Sequence, residues 1–402
     1  MNGDKMRFGI VGCGFTGDRY FPSIQLYPEL EFVGATDRDP QRAEEFCKHF
    51  SVKFYPTLES MLDDPSIEMI VNLTSSASHF AVTKAALEAG KHVYSEKPMA
   101  PEFVQAKFLT ELASEKGLYL NSAPCSLLGE SAQTLWRALR KNEIGQVHLV
   151  YAELDDGPLH LMEPHTWISP SGALYDYHEE LSAGVTAEHA CYYLSWLCAY
   201  FGPAVSVQAF SKCLWPTRPV HAEETLVNTT PDFSVACVTF ASGVVARLTC
   251  GLIAPHSHVM KIIGETGVLT VNECWNFSAP VYLDRYSTFK FKAEAYPISK
   301  SLPFLTSLRD KGSRVYPSVR KATLKNRHHR YRLDFARGLV DLSRAIRSRK
   351  TPLIPMDFCL HVNELSVVIQ NPPDGLYQVK TTFKSLEPMD DAALNALIAP
   401  GW

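Results

Sequence analysis

Hydrophobic positions in the first 120 residues fall in short runs that alternate with amphipathic stretches. Arg7 to Val11 is an apolar run of strand length, followed by a glycine-rich turn and a helical pattern from Phe15 to Tyr27. Leu30 to Thr36 predicts a second strand, closed by Asp37. Asp39-Pro40 supplies an N-cap with proline at the first helical position and opens a helix to about His49. Met69 to Leu73 reads as a buried strand, and Ala77 to Ala89 as a helix that Gly90 terminates. His92 to Tyr94 is a further strand, and Pro101 to Lys116 a helix stopped by Gly117. Strands alternating with helices predict a parallel, doubly wound sheet, an α/β fold.

From about Gly145 the pattern changes. One long helix, Ser182 to Tyr200, precedes alternating runs at Val205–Phe210, Ser234–Phe240, Val244–Thr249, Met260–Ile263 and Val268–Val271. The turns at 241–243 and 264–267 make neighbouring strands antiparallel, so a second α+β domain with an open, mostly antiparallel sheet is expected. We place the domains at 1–124 and 125–402. Within the second, Asp155 to Leu181, with three prolines, reads as a long loop, which inside a compact domain suggests a lid.

Composition narrows the class. The 402 residues are 46% hydrophobic and 20% charged, as in globular proteins, and exceed the size of one hydrophobic core. A net charge of −4 gives no reason to expect nucleic acid as partner. No run approaches the roughly 20 apolar residues of a membrane helix, and Met1 to Lys5 is polar, without a secretory pattern. The ten cysteines show no C-x-x-C pair, so they are expected to be reduced thiols and the protein cytoplasmic.

The chemistry starts at Gly12-Cys13-Gly14-Phe15-Thr16-Gly17, which fits G-x-G-x-x-G between a strand and a helix. Gly12 allows the tight turn, Gly14 lets backbone approach a pyrophosphate, and Gly17 lets helix and strand pack closely. Asp37, 20 positions beyond Gly17, stands where a carboxylate binds a ribose 2′-OH and repels a 2′-phosphate. NAD is therefore expected over NADP, although the adjacent Arg38 is placed to pair with such a phosphate. Phe15 and Thr16 complete the cofactor loop.

Glu96-Lys97-Pro98 follows the His92–Tyr94 strand, at the carboxyl edge of the sheet where ligands bind. With Thr74, His79 and the run Ala86-Leu87-Glu88-Ala89-Gly90-Lys91-His92-Val93-Tyr94-Ser95, it resembles the glucose–fructose oxidoreductase / inositol dehydrogenase / MocA family. The resemblance continues at Ile144–Val147, Asp334–Arg349 and His361–Glu364. It implies a Rossmann domain joined to a substrate-binding and oligomerisation domain, in a homodimer or homotetramer. It also implies an NAD(P)-dependent dehydrogenase or reductase acting on a secondary hydroxyl of a sugar, cyclitol or polyol. Thr74, His79, Glu96 and Lys97 are then expected around the cofactor, with Lys97 the proton relay. An ammonium beside an oxidised nicotinamide, partly out of water, is expected to have a lowered pKa.

In the family's second motif Glu188 takes the place of an aspartate and Tyr192 that of a histidine, four residues apart on one helix face. Glu188 is placed to orient Lys97 or a substrate hydroxyl, and Tyr192 to donate to the carbonyl oxygen. His189 sits on a different face. Trp167, Tyr177 and His178 are candidate pocket residues. Asp176, His178 and Glu179 lack a second ligand cluster, so no metal is expected. Residues 309–350 carry 14 Lys/Arg against 3 Asp. Arg337, Arg344 and Arg347 oppose the Phe335-Leu339-Leu342-Ile346 stripe and read as a solvated face. Arg314–Arg332 would attract a phosphate- or nucleotide-bearing substrate. Two other functions fit the same motifs: a glycosidase-like lyase that oxidises transiently with NAD retained, and a cofactor-binding regulator without catalysis.

Overall fold

A computed structural model of the chain describes residues 5–221, 224–286, 314–320 and 333–398. The N-terminal sheet contains β1 (Met6–Val11), β2 (Leu30–Thr36), β3 (Lys53–Phe54), β4 (Met69–Asn72), β5 (His92–Ser95) and β6 (Leu120–Ser122). All its strands are parallel, in the order β3-β2-β1-β4-β5-β6. Met6, Phe8, Ile10, Met69, Ile70 and Val71 are buried, the unbroken apolar runs of a sheet covered on both faces. The covering helices are α1 (Phe15–Ile24), α2 (Pro40–Phe50), α3 (Leu58–Leu62), α4 (His79–Glu88) and α5 (Phe103–Glu115). Strand order reverses between β1 and β4, so a crevice opens beyond their carboxyl ends. Asp39 caps α2 by accepting from Gln41 and Arg42 N–H, as its Asp-Pro pair predicts. The short β3, α3 and β6 carry too few residues to show a period and have no counterpart in the sequence reading.

The second sheet has nine strands in the order β16-β15-β14-β13-β7-β12-β11-β8-β17. In chain order, with a separate hairpin β9 (Thr217–His221) and β10 (Glu224–Val227), they run as follows. β7 is Val147–Asp155, β8 Ala204–Lys212, β11 Phe233–Phe240, β12 Val245–Gly251, β13 Met260–Gly264, β14 Gly267–Val271, β15 Val281–Arg285, β16 Arg314–Val315 and β17 Tyr377–Gln378. Only β7 and β12 pair in parallel; the other neighbours are antiparallel, including the two hairpins expected from their turns. The helices are α6 (Glu130–Arg140), α7 (Tyr177–Ala183), α8 (Val185–Phe201), α9 (Ala336–Ser348), α10 (Met356–Gln370) and α11 (Asp391–Leu397).

Three expectations change. The single helix at Ser182–Tyr200 is two, α7 and α8, divided at Gly184 with φ +89°. The Gln370 side chain occupies the space a Cβ at Gly184 would need, and its Oε1 accepts from Thr186 and Ala187 N–H, capping α8. The Asp155–Leu181 stretch is not a plain loop: it holds two 3₁₀ turns, at Leu159–Leu161 and Pro164–Thr166, and most of α7. The basic side of α9 is solvated only in part: Arg347 is exposed and Arg344 half-buried, but Arg337 is not on the surface. Arg337 is fully buried between Glu130 (2.9 Å) and Asp334 (3.2 Å). Arg344 and Arg347 reach Glu29 (2.5 Å) and Glu68 (2.6 Å) of the N-terminal half. This side of α9 is a seam against the first sheet, and Gly338 leaves room there for the Tyr94 ring. Of the basic stretch upstream, residues 321–332 lie outside the described residues.

Candidate active site

The glycine-rich loop joins β1 to α1. Gly12 has φ +99°, and a Cβ there would stand 2.6 Å from the Leu73 carbonyl carbon on the neighbouring strand exit. A Cβ at Gly14 would meet nothing within 4 Å, and α1 begins at Phe15 with no side-chain cap. The start of α1 is thus open at Gly14, with the positive end of the helix behind it, a fit for a pyrophosphate. At Gly17 the crowding neighbour is Phe46 of α2, at 2.9 Å, rather than the strand. Asp37 ends β2: its Oδ2 accepts from Cys13 N–H (2.7 Å) and its Oδ1 from Asp39 N–H (3.0 Å), which fixes the carboxylate at the loop's rim. Arg38 beside it is exposed, and Phe15 and Thr16 are half-buried.

Thr74 follows β4, its Oγ1 donating to Asn72 Oδ1 at 2.7 Å. His79 is 1% exposed, so it does not reach the crevice itself. Its ring nitrogens lie 3.0 Å from the Thr74 carbonyl and 2.6 Å from the Pro98 carbonyl, bracing the exits of β4 and β5 against each other. Burial pushes its pKa down. Glu96 accepts from the Tyr20 hydroxyl (2.6 Å) and from Lys97 N–H (3.0 Å).

Lys97 emerges from β5 and its Nζ is in contact with the Glu188 carboxylate on α8, both side chains largely buried. Tyr192, one turn further, sits edge-on to Trp275 with ring centroids 5.7 Å apart. Here the expected lowering of the Lys97 pKa is overturned. Burial does favour the neutral amine, but the negative charges of Glu188 and Glu96 outweigh it and hold the ammonium above its usual range. Burial and Glu188 together push the Glu180 carboxyl up, and Glu180 accepts from the Tyr175 hydroxyl at 2.6 Å.

The pocket candidates divide. Trp167 packs on Tyr175 (5.0 Å), which in turn meets Phe15 of the cofactor loop (5.3 Å). Tyr177 and His178 both turn to Glu224 on β10, at 2.7 and 3.1 Å, and are spent on that hairpin. Asp176 caps α7 and Glu179 accepts from Ser76, so these acids do not gather with His178. Sequence reading missed Tyr175, Glu180, Asp156, His256, His258, Glu273 and Trp275. Only His256-Ser257-His258 had a visible signal, two histidines in a short x-spaced pair. His189, set aside there, touches Asp156 at 2.6 Å. Two nearby groups have ligand-type atoms within 4.8 Å of one another: Asp156, His256, His258 and His258, Glu273, Cys274.

The 155–176 segment reaches across to the first sheet's helices. Asp18 of α1 accepts from Ser171 N–H (2.9 Å), Ser171 Oγ (2.6 Å) and Ser169 Oγ (2.8 Å). Arg42 of α2 donates to the Cys13 carbonyl and the Ser171 carbonyl, both at 2.7 Å. The segment is thereby tied to the glycine-rich loop.

Comparison with known proteins gives matches to both sheets of this architecture. Residues 6–123 match a model described as "Oxidoreductase family, NAD-binding Rossmann fold", and residues 132–270 one described as "GFO/IDH/MocA C-terminal domain". Trans-1,2-dihydrobenzene-1,2-diol dehydrogenase of Bos taurus is 24% identical over 277 residues, 67% of this chain and 76% of that protein. The Macaca fascicularis protein of that name is 26% identical over 278 residues, 67% of this chain and 75% of that one. Among solved structures, the WlbA dehydrogenase of Bordetella pertussis, in complex with NADH and UDP-GlcNAcA, aligns with TM-score 0.67 and 18% identity over 94% of this chain and 99% of its own. The 3-ketoreductase KijD10 of Actinomadura kijaniata, with NADP and TDP-benzene, aligns with TM-score 0.69 and 19% identity over 91% and 97%. No helix among the described residues is long and apolar enough to cross a membrane.

Proposed function

The chain belongs to the GFO/IDH/MocA family of NAD(P)-binding oxidoreductases, and from that premise we propose that it moves a hydride between a nicotinamide and a secondary carbinol of a vicinal diol, in a sugar, cyclitol or related polyol. The observation that carries this reading is the Lys97–Glu188 contact at the β5 exit, beside a glycine-rich loop with open space above Gly14. The substrate class is supported by the relatives named for a dihydrodiol and by the neighbour solved with a nucleotide sugar, UDP-GlcNAcA.

When bound, a nicotinamide supplies the hydride acceptor or donor; Gly12, Gly14, Phe15, Thr16 and Asp37 would hold the dinucleotide. Asp37 favours NAD, because its fixed carboxylate repels a 2′-phosphate. Lys97 does the proton work. In reduction its ammonium, kept protonated by surrounding carboxylates, gives the Nζ proton to the forming alkoxide. In oxidation Lys97 must first lose that proton, a step the enclosing carboxylates of Glu188 and Glu96 oppose. Tyr192 is placed to hold the substrate oxygen by its hydroxyl.

The test is titration with NADH and NADPH, then turnover on a panel of vicinal diols with Lys97→Ala alongside. We expect tighter NADH than NADPH binding, and a kcat lower by about 10²–10⁴ in the variant, the usual worth of a general acid or base. NADH affinity of the variant should stay within a few-fold of the parent. Undiminished turnover in Lys97→Ala removes the relay. Product formation without net change in nicotinamide absorbance moves the assignment to the lyase.

A further inference from the structure

One residue beyond Glu188 on α8, His189 opens onto a cluster that neither cofactor nor Lys97 accounts for. Asp156, just past β7, has its Oδ1 at 2.8 Å from His258 Nε2 and 3.5 Å from His256 Nδ1, and its Oδ2 at 2.6 Å from His189 Nε2. These side chains come from three parts of the chain: the β7 exit, α8 and the segment before β13. His258 is fully buried, His189 nearly so, and His256 half-exposed.

Hydrogen bonding satisfies only part of this arrangement: His258 Nε2 bonds Asp156 Oδ1 at 2.8 Å, and His256 Nε2 reaches Glu273 Oε2 at 3.3 Å. Asp156 Oδ2 is buried with His189 Nε2 as its one close contact, an ion pair at 2.6 Å, and His189 Nδ1, the other nitrogen of that ring, is buried without a hydrogen-bond partner. A buried carboxylate with one oxygen outside the hydrogen bonds, on which imidazole nitrogens from three parts of the chain converge, suits a shared cation. Two ligands about 2.1 Å from one ion stand about 3–3.5 Å apart for right-angled to tetrahedral geometry; Asp156 Oδ1 lies 2.8 Å from His258 Nε2 and 3.5 Å from His256 Nδ1. The surroundings match as well. His258 turns its other nitrogen, Nδ1, to Glu273 Oε1 at 2.7 Å, and Glu273 is held by Trp275 N–H at 2.8 Å. A ligating imidazole is commonly fixed by a carboxylate on its far nitrogen in this way. Trp275 walls the group, 4.4 Å from the His258 ring, and also meets Tyr192.

We propose that Asp156, His256 and His258, with His189 at the edge, bind a divalent transition-metal ion whose open positions face the substrate side of the Lys97–Glu188 pair. Two imidazoles and one carboxylate suit zinc, manganese, cobalt or ferrous iron better than magnesium or calcium. The half-exposed His256 gives the ion a way in. A three-ligand site leaves room for two substrate oxygens, and adjacent hydroxyls of a polyol form a chelate of the right span. This substrate role rests on the oxidoreductase reading above; the ion binding does not.

The full chain, stripped with a chelator and dialysed, is titrated separately with zinc, manganese and cobalt chlorides by calorimetry and, for cobalt, by visible absorption. We expect one ion per chain, with affinity lower by at least about 10- to 100-fold in His256→Ala. His256 is at the surface, so that variant keeps the fold; Asp156→Asn is the second, its circular dichroism compared with the parent. Addition of a vicinal polyol should shift the cobalt spectrum. No stoichiometric uptake of any of the three ions, or equal uptake by parent and His256→Ala, overturns the site and leaves a network of imidazolium–carboxylate pairs. Uptake with a spectrum unmoved by every polyol removes the substrate role. NADH titration of the stripped chain is scored apart: failure there sinks the oxidoreductase reading and not the ion site.

Discussion

A Cβ at Gly12 would press on the Leu73 backbone in a left-handed conformation, whereas one at Gly14 would touch nothing. The two glycines of one motif therefore answer to different demands, fold at the first and ligand at the second. Gly12→Ala should destabilise the chain by several kcal/mol, since strain and overpacking add. Gly14→Ala should leave the unfolding midpoint within a few degrees of the parent and yet weaken NADH binding at least tenfold. Denaturant titration beside NADH fluorescence separates them, and a Gly14→Ala chain that binds NADH like its parent would show that the pyrophosphate passes elsewhere. Lys97 makes the same point about context. A lysine after a strand is ordinary; enclosed by Glu188 and Glu96 it is held firmly as an ammonium.

Among the elements, α9 departs furthest from its helical wheel. A stripe of apolar residues opposite three arginines describes a surface helix, but Arg337 is as buried as Leu339. The guanidinium joins Glu130 of α6 to Asp334, and Tyr27 donates to Asp334 at 2.5 Å, so α9 is keyed to both halves of the protein. Replacing the arginine leaves two buried carboxylates without their countercharge. Arg337→Met should cost about 3–5 kcal/mol, the usual penalty for breaking a buried pair from one side. Urea unfolding measures it; a loss below about 1 kcal/mol would mean that water or a rearranged neighbour compensates. The helix pair α7 and α8 was hidden for a similar reason, since Gln370, which caps α8, lies 184 positions from Thr186.

Over the whole molecule, the site is a product of two sheets meeting. Lys97 comes from the first, Glu188 and Tyr192 from a helix on the second, and the 155–176 segment ties them together at Asp18 and Arg42. That clasp lies against the glycine-rich loop, so it should govern how fast the dinucleotide leaves. Ser171→Ala removes one bond to a buried carboxylate, worth about 1–3 kcal/mol. We expect NADH dissociation about tenfold faster by stopped flow, with the melting temperature nearly unchanged. An unaltered off-rate would separate the clasp from cofactor retention.

The sequence by itself determined whatever depends on neighbours along the chain. The βα alternation, the Gly12–Gly17 loop, Asp37 at the end of its strand and Lys97 at the exit of β5 are all set by local periodicity, turn chemistry and a contiguous motif. Tertiary structure decided which distant groups meet. Asp156 and His258 are 102 positions apart, and Arg337 and Glu130 207. Only closure of the long connections between them selects one partner among many carboxylates. The raised pKa of Lys97 belongs to that second class, because the enclosing charges of Glu188 and Glu96 hold it up against burial.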